Sequence, residues 1–193
     1  MAVWDVRAIL WDADGVLQET PAGTWDLAVE VVHQFEGALT GAHIDERSIR
    51  TAAVDLGLGD RVEDILSVWW TFDVVAPTLE VVARAREAGV ACYLATNQDS
   101  YRATCMREKA PYAEALDGSY YSCDVGHAKP SAGFFEHILD DLALAPGQVL
   151  FIDDQPKNVE GARAVGLRAE RWTQSDGSPA LRRLLAAHGL RLD

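Results

Sequence analysis

Three short, mainly apolar runs in this 193-residue chain stop abruptly at polar residues. Residues 6–11 (VRAILW) run into Asp12, 90–95 (VACYLA) into Thr96 and Asn97, and 149–152 (VLFI) into Asp153 and Asp154. Runs of this length without strict alternation are what strands covered on both faces require. Between them the apolar spacing turns helical. In 78–88 the face is Leu79, Val82, Ala83 and Ala85, with Gly89 as the stop; in 132–142 it is Phe134, Phe135, Ile138, Leu139 and Leu142. Residues 156–165 carry Pro156 in the first turn and Gly166 just past the end, the usual asymmetry of helix termini. Further strands are expected at 118–122 and 167–172. Strands alternating with helices of this length predict a parallel sheet joined by right-handed crossovers.

Residues 18–76 break the rhythm. They show helical stretches near 24–38, 45–56 and 60–71 and no convincing strand, which reads as an inserted helical subdomain. The expected organisation is an α/β, Rossmann-like three-layer core formed by 1–17 and 77–193, with an all-helical insertion over 18–76. The insertion holds 11 acids against three bases, Arg47, Arg50 and Arg61.

The whole chain carries a formal charge of −13, which disfavours a nucleic-acid surface, since that needs a basic stripe to displace counterions. No apolar run approaches the roughly 18 residues of a membrane span. The start, MAVWDVRAILWD, lacks a basic region ahead of an apolar one, so no signal peptide is expected and a cytoplasmic protein is. Cys92, Cys105 and Cys123 form no CxxC pair, which argues against a disulfide framework or a structural zinc site.

In an open parallel sheet, ligands bind beyond the carboxyl ends of the strands. Asp12, Asp14, Thr96, Asn97, Asp153 and Asp154 all fall there, and Lys129 stands just before the 132–142 helix. Four carboxylates at one edge call for a cation. An oxygen-only donor set suits Mg2+, and no His or Cys cluster accompanies it to suggest zinc. Lysine, threonine and metal together make a cradle for a phosphoryl group, which Asp12 can attack while Asp14 handles the proton of the leaving oxygen. Each piece alone is bland: DxDG is usually a turn, Lys129 a surface charge, and Asp153–Asp154 the acids of a helix N-terminus.

Together and in this order, Asp12-x-Asp14-Gly15-Val16, Thr96-Asn97, Lys129-Pro130 and Asp153-Asp154-x-x-x-Asn158 resemble the four motifs of the haloacid dehalogenase-like (HAD) hydrolase superfamily. The helical insertion resembles that family's small α-helical cap. The resemblance implies Asp12 as the nucleophile that becomes an aspartyl-phosphate, and Asp14 as general acid and then base. Thr96, Asn97, Lys129 and Gly15 would surround the phosphate. Mg2+ would be held by Asp12, the backbone carbonyl of Asp14, and Asp154, with Asp153 and Asn158 in support. The pattern departs only at Ala132, where the family commonly has a second proline.

The implied activity is Mg2+-dependent hydrolysis of a small phosphorylated metabolite. Phosphosugar mutases share the same core. The founding 2-haloacid dehalogenases attack carbon without a metal and typically lack an acid at the position of Asp14. Phosphonate-cleaving relatives need a cap lysine, but Lys109, Lys129 and Lys157 all lie outside 18–76. A non-enzymatic receiver domain also has an acidic pocket, yet it places its acidic pair and its acceptor in a different order. FIDDQPKNVEGARAVG resembles the sugar-phosphate phosphatase and epoxide-hydrolase-associated branches. Trp69–Trp70 is expected in the cap–core interface, Arg47, Arg50 and Arg61 in surface ion pairs, and His127 in a plain loop.

Overall fold

The computed structural model describes residues 5–192, so residues 1–4 and 193 of the expected core lie outside it. Five strands form one parallel sheet: β1 (Ala8–Trp11), β4 (Ala91–Thr96), β5 (Gly118–Tyr121), β6 (Val149–Asp153) and β7 (Arg168–Arg171), in spatial order β5-β4-β1-β6-β7. β1 lies centrally because the chain first builds outward through β4 and β5, then returns to its other side for β6 and β7. That reversal leaves a crevice at the carboxyl ends of β4, β1 and β6. The register sets Trp11 beside both Leu94 and Ile152, so the residues that follow them come together at one edge.

Strand periodicity splits the core into two layers. Ile9, Trp11, Cys92, Leu94, Leu150 and Ile152 face one side, packed with α4 (Ala76–Glu87), α5 (Ser100–Lys109) and α10 (Gly177–Ala187). Ala8, Leu10, Ala95, Val149 and Phe151 face the other, under α8 (Ala132–Leu142) and α9 (Pro156–Val165). Two single-turn helices, α6 (Tyr112–Ala115) and α7 (Ser122–Val125), flank β5.

The insertion departs from expectation in two respects. First, it contains strands. β2 (Gln18–Glu19) and β3 (Asp73–Val74) pair antiparallel where the chain leaves and re-enters the core. Two residues per strand are too few for alternation to register in the sequence. Second, the stretch 24–38 is not one helix. It divides into a 3-10 turn (Thr24–Leu27), α1 (Val29–Val32) and a second 3-10 turn (Ala38–Thr40), bounded by Gly23 and Gly37 at φ near 80° and 73°. β-branched Val29, Val31 and Val32 add little helix propensity to resist this division. α2 (Glu46–Asp55), capped by Asp45 accepting from Ser48 N, and α3 (Val62–Trp70) form as expected.

The insertion's core of Ile49, Ala53, Ile65, Val68 and Trp69 also includes Cys105 of α5. α5 is therefore its seat. Trp69 Nε1 donates to Asp99 Oδ2 at 3.0 Å, Trp70 Nε1 to the Tyr101 hydroxyl at 3.2 Å, and Ile44 N to Ser100 Oγ at 2.9 Å. No helix among the described residues is long and apolar enough to cross a membrane.

Candidate active site

Asp12 extends β1 by one bond, its N–H donating to Ile152 O at 3.0 Å. Its Oδ1 accepts from Ala13 N at 2.7 Å and lies 2.7 Å from Lys129 Nζ. Oδ2 has no partner among the described residues, while Asp12 lines a cleft of about 810 Å3. Lys129 is almost fully buried and spends all three donors internally, on Asp12, on Asp153 Oδ2 at 2.7 Å and on Ala95 O at 2.8 Å. Its contribution at the edge is therefore charge rather than a free hydrogen bond. Burial alone would lower its pKa, but Asp12 and Asp153 outweigh burial and hold it above the ordinary lysine value. Burial pushes Asp12 up to about 7, with Lys129 opposing and Asp153 adding to the rise.

Asp153 is fully buried and saturated: besides Lys129, it accepts from Gln155 N at 2.7 Å and from Asn158 Nδ2 at 3.1 Å on each oxygen. Asp154 is half-buried, and burial followed by the charge of Asp153 raises its pKa. Asp12, Asp153 and Asp154 each present an oxygen within 4.8 Å of the others. Three carboxylates against one ammonium leave a local excess of negative charge. Buried Asn158 Oδ1 beside them has no partner among the described residues, so it can accept from a hydrating water. A hard, hydrated dication fits this donor set.

Asp14 stands apart from that cluster and is held by residues that sequence reasoning missed. Its Oδ2 accepts from Gln98 Nε2 at 2.7 Å; its Oδ1 accepts from Gln18 Nε2 at 2.9 Å and from the Thr20 hydroxyl at 3.2 Å. Gln98 Nε2 also reaches Thr96 Oγ1 at 3.1 Å, and Ser122 clamps the backbone of Gln98. None of these residues carries a local signal, because their partners are 4 to 84 positions away and the fold alone brings them together.

Gly15, Thr96, Asn97 and Lys129 all line the cleft with Asp12, and three of them are held in specific ways. The Asn97 side chain is committed to the lysine loop: its amide donates to Lys129 O and accepts from Lys129 N, both at 2.8 Å, fastening that loop to β4. Gly15, at φ 81°, does turn the chain, but what lies against it is Asp154, whose Cγ would be 2.9 Å from an added Cβ. The Lys129 ammonium turns to the carboxylates of Asp12 and Asp153. In the insertion, Trp69 is fully buried in the interface and Arg50 pairs with Glu46 and Glu63 as expected, whereas Arg47 and Arg61, also expected in ion pairs, have no acid within 4.0 Å among the described residues; His127, in the core, is an exposed loop residue covering Gly133. The insertion's aromatic residue on the cleft is Trp25, set edge-on to Trp69 at 5.3 Å.

Gly161 is a further residue with a traceable signal, a glycine inside a helical pattern. A Cβ there would run into the carbonyl oxygen of Pro130, next to Lys129. Gly161→Ala should therefore lower stability by about 1–3 kcal/mol, the usual cost of overpacking, and displace the lysine loop. Thermal melts beside turnover measurements check this. A variant matching the parent in both would show that α9 and the loop separate freely.

The fold and site thus define a doubly wound α/β core in which one lysine joins two carboxylates at the switch point of the sheet. A model of haloacid dehalogenase-like hydrolases matches residues 6–166, and the chain belongs to that family. It is 33% identical over 87 residues to the sesquiterpene phosphatase astK of Aspergillus oryzae, a match covering 45% of this chain and 44% of that protein. It is 27% identical over 192 residues to Phosphatase MT3486 of Mycobacterium tuberculosis, covering 85% and 86%. The chain thus spans under half the length of the first relative and most of the second. Among solved structures, a HAD family enzyme of Bacteroides thetaiotaomicron in complex with magnesium and inorganic phosphate superposes with a TM-score of 0.74 at 22% identity, covering 92% of this chain and all of that one.

Proposed function

We propose that this protein is a Mg2+-dependent phosphomonoester hydrolase that acts on a small phosphorylated metabolite through an aspartyl-phosphate on Asp12. The observation that carries the reading is the division of acids at the sheet edge. Asp12 and Asp153 pair with Lys129 and cluster with Asp154, while Asp14 is held separately, hydrogen-bonded by Gln98, Gln18 and Thr20 with Arg102 at 3.7 Å. Phosphoryl transfer needs this division: a nucleophile held by a cationic group where a dication can also sit, and a second carboxyl group able to carry a proton.

Asp12 and Asp154, with the Asp14 carbonyl, would hold Mg2+, and Asp153 and Asn158 would brace them. The ion supplies neutralising charge to the phosphoryl oxygens. Asp12 Oδ2, left unpartnered by Lys129 and Ala13, attacks phosphorus as the P–O ester bond breaks, and Asp14 gives its proton to the departing oxygen. Asp14 then takes a proton from water attacking the aspartyl-phosphate, which releases inorganic phosphate and restores Asp12. Thr96, whose hydroxyl is oriented by Gln98, contacts the phosphoryl oxygens. The leaving group lies toward Trp25 and the insertion, where differences between metabolites would be read.

Phosphate release from aryl, sugar and other small phosphates, with Mg2+ or with excess chelator, tests the reading. Turnover should fall at least about 10²-fold in chelator and return with added Mg2+. An isomerised sugar phosphate with no free phosphate would establish a mutase instead, and halide release from an added 2-haloacid in chelator a dehalogenase.

A further inference from the structure

Arg102 lies in the first turn of α5, in a stretch with little apolar periodicity, yet its side chain is only 1% exposed. One edge of the guanidinium caps the insertion: Nη1 donates to Val68 O at 3.1 Å and Trp69 O at 2.5 Å, carbonyls in the last turn of α3, the first of which also accepts from Thr71 N at 3.2 Å. Its face lies 4.5 Å from the Phe72 ring centre and 5.5 Å from that of Trp25. The other edge does something a helix cap does not need. Nη2 donates to Thr20 Oγ1 at 3.0 Å and stands 3.7 Å from Asp14 Oδ1, while the same Thr20 hydroxyl donates to Asp14 Oδ1 at 3.2 Å.

A buried guanidinium without a carboxylate is expensive. Asp99 accepts from the Arg102 backbone N–H at 2.8 Å, but Asp14 is the only carboxylate within 4.0 Å of the guanidinium among the described residues. The guanidinium charge is thus directed to Asp14, with one hydroxyl oriented from both ends. Because Nη2 is the donor to Thr20, the hydroxyl hydrogen is left for Asp14. The relay therefore has a fixed direction, from arginine through threonine to the carboxylate.

We propose that Arg102, acting through Thr20, is a positioning residue: it fixes the rotation of the Asp14 carboxyl group for proton transfer to the leaving oxygen, and ties that orientation to the seating of the insertion on α5. The inference rests on the phosphatase reading and concerns only the acid step of that reaction. Rotation of a carboxyl group matters in proportion to how much the leaving oxygen needs a proton. Alkyl oxygens need it most, and strongly acidic aryl oxygens least.

The experiment measures kcat/KM across aryl phosphates of graded leaving-group acidity and one alkyl phosphate, for Thr20→Val, Thr20→Ser and Arg102→Gln. The ratio kcat/KM stops at the first irreversible step, so it isolates departure of the leaving group from the later attack of water. For Thr20→Val, the alkyl phosphate should lose about tenfold or more and the most acidic aryl phosphate less than about threefold. Thr20→Ser, which keeps the hydroxyl, should hold the ratio between the two substrates within about twofold of the parent. Arg102→Gln should follow Thr20→Val; if it fails to fold, the threonine pair decides alone. An equal loss on every substrate, or none, would overturn the proposal and leave Arg102 as a cap of α3. Failure of the underlying reading looks different, since the parent would then release phosphate from no member of the series.

Discussion

Asp12→Asn should abolish phosphate release, by about 10⁴-fold or more, while leaving a folded protein. The amide keeps the shape of the carboxylate but has no anionic oxygen for phosphorus. Its fold should survive because Lys129 retains Asp153 and Ala95 O as partners. The substitution also makes a prediction that does not depend on turnover. In the metal-free protein, burial lifts Asp12 from its ordinary 3.8 to about 7. A carboxyl group whose pKa is higher in the folded state binds its proton more tightly there, so its contribution to stability is complete below about pH 4. That contribution is lost as pH rises toward 7. Asparagine does not titrate. In excess chelator, Asp12→Asn should therefore melt above the parent at pH 8, by the equivalent of on the order of 1–3 kcal/mol, with the gap closing near pH 4. Added Mg2+ should raise the parent more than the variant, since a ligand that binds only the native state stabilises it. Retained turnover would remove Asp12 from the nucleophile's role. A pH-independent gap between the melts would show that its charge is not what burial penalises.

What was legible in the chain and what was not divide along physical lines. Asp12, Thr96 and Asp153 announce themselves because each ends an apolar strand, and strand ends in a parallel sheet must meet at one edge. Lys129 is legible by adjacency to a helix start, and Asn158 by its offset from Asp153 across the first turn of α9. Composition and spacing, however, do not tell which way a side chain is committed. The Asn97 amide and the three donors of Lys129 are used inside the protein, which only the fold reveals. α5 went unread for a related reason. It buries Arg102, Ala103, Cys105 and Met106, and a charged residue at a core position erases the periodicity by which an amphipathic helix is recognised. Because α5 is the seat of the insertion, the loss extended to how the two parts are joined. Gln18, Thr20 and Gln98, which hold Asp14, were beyond reach for the same reason: each is polar, unremarkable in its neighbourhood, and brought to the site by tertiary structure.

Lys129→Met should be the most destabilising single change at the site. Removing the ammonium leaves Asp12 and Asp153 buried side by side without a counter-charge, and breaking a buried pair from one side costs about 3–5 kcal/mol. Methionine is close to lysine in volume, so the loss is one of charge and not of packing. The sign of the pH effect follows from the same contacts. Lys129 is the group that pulls Asp12 down against burial and against Asp153. Without it, Asp12 binds its proton more tightly still in the folded state, so the variant should regain stability as pH falls. The deficit against the parent in chelator should accordingly be largest at pH 8 and shrink progressively toward pH 5. Mg2+ should narrow the deficit at pH 8 by supplying positive charge to the same carboxylates, yet turnover should stay at least about 10²-fold down, because the ammonium that orients Asp12 Oδ1 is gone. Melting curves from pH 5 to 8, with chelator and with Mg2+, read all of these terms. A deficit that stayed constant with pH would mean that methionine disrupts packing around Phe151, over whose ring the lysine lies at 5.2 Å, and that the carboxylates do not depend on Lys129 for their charge.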